Sequence, residues 1–125
     1  MSDEFTLTID GREATAEPGM TVMQAADRAG IRIPRLCYHP QLEPFAGCRL
    51  CLVEVEGMRA LAASCALPAA PRMVVRTDTE RVAAARRLAV ELLLSGARVI
   101  PRRLLDSGYQ FHDPQLEAAL RRLLG

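Results

Sequence analysis

Four cysteines gathered in one segment constrain this 125-residue chain more than any other sequence feature. Three lie in the stretch "LCYHPQLEPFAGCRLCLVEVEG", and the full set, spaced C-x10-C-x2-C-x13-C, is Cys37, Cys48, Cys51 and Cys65. The fold must therefore accommodate a long loop, a close cysteine pair and a distant fourth cysteine. Disulfides, a zinc site and an iron–sulfur cluster are the three explanations to weigh.

The composition weakens the disulfide explanation. Half of the residues are hydrophobic and a quarter are charged, which is typical of a globular domain with its own core rather than one that depends on crosslinks. The first residues, "MSDEFTLTID", lack the basic start and apolar stretch of a secretory signal. We therefore expect a cytoplasmic protein, in a compartment that keeps thiols reduced.

Charge and hydropathy argue against two classes of partner. The chain has 16 basic and 15 acidic residues, so it has no overall field that would attract nucleic acid. Its longest strongly apolar stretch, from Leu88 to Leu94, contains Glu91 and is too short to cross a bilayer. We expect neither a nucleic-acid partner nor direct membrane insertion.

Local signals predict an α+β body over residues 1–78. "FTLTIDGREATAEPG" alternates apolar and polar residues around Asp10-Gly11, a hairpin signal. Thr21 and Gln24 have capping-box spacing at the start of "VMQAADRAG", which predicts a short helix. Prolines and glycines predict an irregular loop over 33–47, followed by strands in "CLVEVEG", "MRALAASC" and "MVVRT".

A long amphipathic helix is predicted over residues 79–96. Thr77 and Glu80 have capping-box spacing, and Gly96 suits the end of the helix. Its apolar stripe contains Val82, Ala85, Ala89, Leu92 and Leu93. Three arginines lie outside this stripe, namely Arg81, Arg86 and Arg87. We expect these arginines to form a solvated face, with a docking surface for an acidic partner as the alternative.

Residues 97–125 are predicted to form an appended helical tail. Pro101 can start a short helix that Gly108 ends, and Asp113-Pro114 can cap a second one. The second helix would carry Leu116, Leu120, Leu123 and Leu124.

The cysteine spacing favours a [2Fe–2S] cluster over zinc. Structural zinc sites typically have a close cysteine pair in both halves of the motif, whereas this chain has one such pair and two lone cysteines. This asymmetry is close to that of plant-type ferredoxins, although the gap between the first two cysteines is longer here. Gly47, just before Cys48, lets backbone amides turn toward the sulfur atoms. Zinc and structural or reactive thiols remain open on spacing alone.

Histidine-containing sites explain the pattern less well. A Rieske-type centre needs two histidines, and His112 is far from His39 in the sequence. A Cys37–His39 nucleophile would leave the other three cysteines without a role.

The blocks "IPRLCYHP", "GCRLCLVEVEG" and "SCALP" resemble the N-terminal [2Fe–2S] ferredoxin-like domain of the large iron–sulfur subunit of respiratory complex I. Similar domains occur in the diaphorase part of NAD-linked hydrogenases and in NAD-dependent formate dehydrogenases. The resemblance covers about residues 5–96 and implies a β-grasp fold. It implies one [2Fe–2S] cluster whose ligands are Cys37, Cys48, Cys51 and Cys65.

The same resemblance implies an electron-transfer component that is not itself catalytic. It would relay single electrons to or from a flavin- or iron–sulfur-containing subunit of an NADH-, formate- or hydrogen-linked oxidoreductase. Tyr38 and Arg49 would lie at the rim of the site, with loop packing as the alternative for Tyr38. A zinc-stabilised binding module without a redox role is the alternative function.

The sequence departs from that family after Gly96. The relatives continue into further cysteine motifs for [4Fe–4S] clusters, but no cysteine follows Cys65 here. Residues 91–125, "ELLLSGARVIPRRLLDSGYQFHDPQLEAALRRLLG", instead resemble the C-terminal segment of epimerase-like short-chain dehydrogenases. We expect no activity from that segment, because the nucleotide-binding domain of those enzymes has no counterpart in this sequence.

Overall fold

A mixed five-stranded sheet in the order β2-β1-β5-β3-β4 forms the framework of the chain. The computed structural model describes residues 3–96, 102–110 and 115–124. β1 and β5 are parallel and the other neighbouring strands are antiparallel, so the predicted α+β class is confirmed. The strands are β1 (Phe5–Ile9), β2 (Arg12–Ala16), β3 (Leu52–Val55), β4 (Ala62–Ala63) and β5 (Val74–Arg76).

The predicted hairpin is present as β1 and β2. Its two turn residues, Asp10 and Gly11, have φ angles of 52° and 74°. Two successive residues in the left-handed region are typical of the turn whose twist matches that of the flanking strands. Alternation along β1 buries Leu7 and Ile9 in the core, as expected.

The predicted first helix is α1 (Val22–Arg28). The Thr21 hydroxyl accepts a hydrogen bond from the Gln24 backbone N–H, and the Gln24 side chain accepts one from the Thr21 N–H. The capping box is therefore confirmed. The helix buries Val22 and Met23 in the core beside the sheet.

The predicted strand in "MRALAASC" is much shorter than expected, because only Ala62–Ala63 pair with β3. At the start of the predicted strand, the Met58 N–H donates to the Val55 carbonyl and closes a turn. A second turn directly follows β4, because the N–H groups of Ala66 and Leu67 both donate to the Ala63 carbonyl. Residues 64–66, including Cys65, consequently lie in a turn rather than in a strand.

The long helix is α2 (Glu80–Ser95), and its N-cap is Thr79 rather than the predicted Thr77. The Thr79 hydroxyl accepts a hydrogen bond from the Val82 N–H. Thr77 cannot cap the helix, because its N–H and hydroxyl both donate to the Asp10 carboxylate across the fold. The capping prediction is therefore wrong by two residues.

Burial along α2 declines toward its C-terminal end. Val82 is buried and Ala85 is half-buried, whereas Leu92 is 67% exposed. The expectation that Arg86 is solvated is wrong, because this side chain is half-buried against the segment before β3. The remaining members of the predicted solvated face, Arg81 and Arg87, are exposed.

The tail contains α3 (Arg102–Asp106) and α4 (Leu116–Leu124), so two short helices are present where they were predicted. Gly108, with a φ of 80°, follows the end of α3 as expected. The predicted starting residues Pro101, Asp113 and Pro114 lie outside the described residues, as do the side chains of Leu116, Leu123 and Leu124. Within the described ranges, no helix has the length and apolar character needed to cross a bilayer.

Candidate metal centre

An irregular loop between α1 and β3 carries the first three cysteines. Arg35 anchors this loop to α1 through two hydrogen bonds to the Asp27 carboxylate, and its Nε donates to the Ile33 carbonyl at 3.0 Å. The guanidinium carbon lies 5.6 Å from the centre of the Tyr38 ring, within cation–π range. The hydrogen bonds to Asp27 raise the pKa of Arg35, so its charge persists at all physiological pH values.

Cys37 and Cys48 lie against each other in the loop. The Cys48 backbone N–H donates to Cys37 Sγ at 3.4 Å. Ala46 and Arg49, on either side of Cys48, have φ angles of 54° and 59°. Left-handed backbone at residues other than glycine is strained and persists only where the surroundings enforce it.

Cys51 and Cys65 form the second pair. Each is 1% exposed and belongs to the apolar core. Cys51 immediately precedes β3 and Cys65 lies in the turn after β4, so the antiparallel pairing of β3 and β4 brings them together. The charge of Cys37 contributes to raising the pKa of Cys65, so the two pairs lie within electrostatic range of each other.

The thiols differ in acidity. Burial pushes the pKa of Cys48 upward, but backbone N–H groups of three neighbours and the Cys37 side chain together lower it to about 7. Burial, the hydrogen bond to Cys51 and the nearby cysteine charges raise the pKa of Cys65 to about 12. Because thiolates are the metal-binding form, binding at neutral pH would release a proton from Cys65.

The donor set fits a two-iron cluster. Across the described residues, no three His, Cys, Asp or Glu side chains are arranged around one position that a single ion could occupy. The four thiols instead form two adjacent pairs, and a [2Fe–2S] cluster with four cysteine ligands takes two from the protein at each iron. The backbone N–H at Cys37 Sγ is of the kind that stabilises such clusters.

One side of the cysteine group faces the surface. Cys37 and Cys48 are partly exposed, unlike the buried pair. Beside Cys48 and Arg49 lies a groove of about 370 Å³, whose far wall is formed by α2. The loop that carries Cys37 and Cys48 also has three exposed apolar side chains, namely Leu36, Leu42 and Phe45.

The other sequence candidates differ in their surroundings. His39 is exposed and its Nδ1 accepts a hydrogen bond from the Gln41 N–H, while His112 lies outside the described residues. Tyr38 packs against the core, in agreement with the packing alternative, and Arg49 is exposed beside Cys48.

Two residues that the sequence analysis did not assign to this site hold the backbone around Cys51. Ser64 donates to the Cys51 carbonyl from its hydroxyl at 2.7 Å, and Arg86 donates to the Leu50 and Leu52 carbonyls. The sequence carried a signal for Ser64, which directly precedes Cys65. Arg86 lies one helical turn after Val82 of the apolar stripe, but this spacing does not identify its acceptors.

Comparison with known proteins identifies the family. A family model described as "2Fe-2S iron-sulfur cluster binding domain" matches residues 2–80, more than half of the chain. This chain belongs to that family. Because the family is defined by an iron–sulfur cluster, [2Fe–2S] is its cofactor, and the alternative of a zinc-stabilised module is not favoured.

Relatives of this 2Fe-2S domain are parts of much larger proteins. The chain is 50% identical over 91 residues to the mitochondrial NADH-ubiquinone oxidoreductase 78 kDa subunit of Candida albicans, covering 73% of this chain and 13% of the relative. It is 49% identical over 97 residues to the NADP-reducing hydrogenase subunit HndD of Solidesulfovibrio fructosivorans, covering 73% of this chain and 16% of the relative. The chain thus spans less than a fifth of the length of these relatives.

The 2Fe-2S fold is also found in a solved structure. A chain of an NAD+-reducing [NiFe]-hydrogenase in the H2-reduced state matches with a TM-score of 0.68 and 42% sequence identity, over 73% of this chain and 38% of that chain. The ferredoxin-like fold that the sequence predicted is confirmed by this match.

A second family model begins where the 2Fe-2S model ends. It is described as a "Domain of unknown function (DUF1731)" and matches residues 81–123, from the first turn of α2 into α4. The resemblance of this segment to epimerase-like short-chain dehydrogenases stays a prediction.

Proposed function

We propose that this chain is a one-electron carrier whose [2Fe–2S] cluster is held by Cys37, Cys48, Cys51 and Cys65. The observation that carries this proposal is the convergence of the four cysteines within a 2Fe-2S family domain. The Cys48 N–H contacts Cys37 Sγ, and the pairing of β3 with β4 brings Cys51 and Cys65 together. When bound, such a cluster supplies reversible transfer of single electrons.

The protein residues in this proposal divide into an insulating side and a contact side. Cys51 and Cys65 lie in the core, where apolar packing excludes water from their sulfurs. Cys37 and Cys48 lie on a loop at the surface, where a redox partner can approach. The chain supplies no catalytic residue of its own and acts through the position and surroundings of its four thiolates.

The redox partner that we propose is a flavin- or iron–sulfur-containing subunit of an NADH-, formate- or hydrogen-linked oxidoreductase. Support comes from the relatives, which are named as subunits of NADH-ubiquinone oxidoreductase and of an NADP-reducing hydrogenase. A cytoplasmic location belongs to the same proposal, because a reducing compartment keeps cysteines available as ligands.

The domain organisation that we propose has three parts. Residues 1–78 form the cluster-binding β-grasp body, residues 79–96 form a long helix along it, and residues 97–125 form the appended tail. Support for the first boundary comes from the hydrogen bonds of Thr77 to Asp10, which tie the end of β5 to the first hairpin just before α2 begins.

Ligand substitution tests the assignment. Cys48→Ser and Cys51→Ser should each lose most of the iron and acid-labile sulfide found in the anaerobically reconstituted parent protein. His39→Ala is the matched control on the same loop and should keep the full content, since the His39 ring is turned to solvent. Full iron content and an unchanged visible spectrum in either cysteine variant would contradict the assignment, as would a colourless parent protein that holds one zinc ion.

A further inference from the structure

Arg86 of α2 contacts the backbone on both sides of Cys51. Its Nε donates to the Leu50 carbonyl at 2.8 Å, and its Nη2 donates to the Leu52 carbonyl at 3.0 Å. The rigid fork of the guanidinium matches two acceptors at fixed spacing, which an ammonium group cannot do. A residue 35 positions later in the chain thus fixes the carbonyl groups of the two residues that flank Cys51.

The charge of Arg86 is not neutralised at close range. Among the ion pairs of the described residues, none includes Arg86, and its two hydrogen bonds go to neutral carbonyls. Burial lowers the pKa of Arg86, against the weaker raising influence of Asp78, Cys51 and Asp10. A guanidinium stays protonated under such conditions, so a half-buried positive charge lies within electrostatic reach of the Cys51 sulfur.

We propose that Arg86 is a positioning residue for the cluster, which fixes the backbone around Cys51 by its two hydrogen bonds and raises the reduction potential by its positive charge. This inference rests on the proposed function. Reduction adds one negative charge to a site that already contains four thiolates, so a nearby cation stabilises the reduced state more than the oxidised state. Groups that contact ligands from outside tune metal sites in this way.

Arg87 provides a matched control one residue away. It carries the same charge on the same helix, but it is exposed to solvent and makes no comparable contact among the described residues. Charge at such a position is screened by water and salt. Arg86→Gln and Arg87→Gln therefore change the net charge equally, but they differ in the contacts that are removed and in the exposure of the charge that is lost.

The test is a redox titration of both variants, monitored by electron paramagnetic resonance. We expect Arg86→Gln to shift the ratio of reduced to oxidised protein at a fixed potential by at least about threefold relative to Arg87→Gln. A tenfold change in this ratio corresponds to about 59 mV for one electron, so the midpoint potential should fall by about 28 mV or more. Equal midpoint potentials of the two glutamine variants would overturn the inference.

Arg86→Lys separates charge from anchoring. It keeps the charge but cannot span both carbonyls, so its midpoint potential should lie closer to the parent value than that of Arg86→Gln. Deuterium uptake around residues 50–53 should be faster in cluster-loaded Arg86→Lys than in cluster-loaded Arg87→Lys, as measured by mass spectrometry. If Arg86→Gln does not retain iron, this comparison carries the test, and equal uptake in the two lysine variants overturns the inference.

Failure of the inference can be distinguished from failure of the proposed function. A parent protein that contains no iron and sulfide after reconstitution would contradict the proposed function itself. A fully loaded parent protein whose Arg86→Gln and Arg87→Gln variants titrate identically would contradict only the role of Arg86.

Discussion

Ser64 and Cys51 are joined by two hydrogen bonds that converge on one oxygen atom. The Ser64 hydroxyl and its backbone N–H donate to the Cys51 carbonyl at 2.7 Å and 3.1 Å. Because Ser64 precedes Cys65 in the chain, these bonds fix the backbone of one buried cysteine against that of the other. The Met23 N–H at the start of α1 donates to the Ser64 carbonyl at 3.0 Å and completes the attachment to the core.

Ser64→Ala should destabilise the protein. The side chain is fully buried, so loss of its hydroxyl removes one of two hydrogen bonds to the Cys51 carbonyl, at a cost of about 1 kcal/mol. The measurement is the urea midpoint of the cluster-loaded protein, together with the rate of iron release to a chelator. Ser95→Ala at the exposed end of α2 is the control and should leave both quantities nearly unchanged. Identical effects of the two variants would contradict the role of Ser64.

Arg35→Lys should loosen the cysteine loop. Lysine can neither bind the Asp27 carboxylate with two parallel hydrogen bonds nor lie flat over the Tyr38 ring, so the substitution is not conservative here. We expect the free energy of unfolding to fall by roughly 1 kcal/mol, a value kept small because the Asp27 carboxylate is partly exposed. We also expect faster release of iron. Arg32→Lys, on an exposed residue of the same loop, is the control. Equal iron-release rates in the two variants would show that Arg35 does not hold the loop.

Thr77→Val should weaken the connection between the first hairpin and the start of α2. Valine has nearly the same shape but removes the hydroxyl that donates to the Asp10 carboxylate, while the backbone N–H bond remains. Loss of a hydrogen bond to a charged acceptor should lower the free energy of unfolding by about 1.5 kcal/mol. The measurement is the urea midpoint of unfolding, which should fall. Thr6→Val, on the exposed face of β1, should have little effect. A Thr77 variant as stable as the Thr6 variant would contradict this role.

Thr79→Ala tests which threonine caps α2. Removal of the hydroxyl that accepts from the Val82 N–H should cost about 1 kcal/mol, whereas Thr79→Ser should preserve the cap. The measurement is the thermal midpoint of each variant by circular dichroism. If alanine and serine at this position gave the same midpoint, the cap would not lie at Thr79.

Features determined by neighbouring residues could be predicted from the sequence. The Asp10-Gly11 turn and the Thr21–Gln24 capping box each depend on the conformations and hydrogen bonds of a few consecutive residues, and both are present. The cysteine group was recognisable because its spacing and flanking residues are specific. The proximity of Cys51 and Cys65 depends on β3–β4 pairing, for which alternation and turn signals were available.

Features determined by distant partners could not be predicted in this way. Thr77 and Thr79 are equally good caps by residue type, and the choice depends on Asp10, which is 67 residues from Thr77. Arg86 has the sequence environment of a solvated arginine until α2 is placed beside the carbonyls of Leu50 and Leu52. No local pattern contains that information, because both acceptors are backbone atoms.

Electron paramagnetic resonance of the dithionite-reduced protein, with spin counting against total iron, tests the central claim most directly. The proposed site predicts a rhombic signal of one unpaired electron per chain, with two iron atoms and two acid-labile sulfides per chain. The oxidised protein should show no such signal, and its visible absorption should bleach on reduction. Protein that is anaerobically reconstituted and folded, yet contains neither iron nor sulfide and gives no signal, would contradict the account.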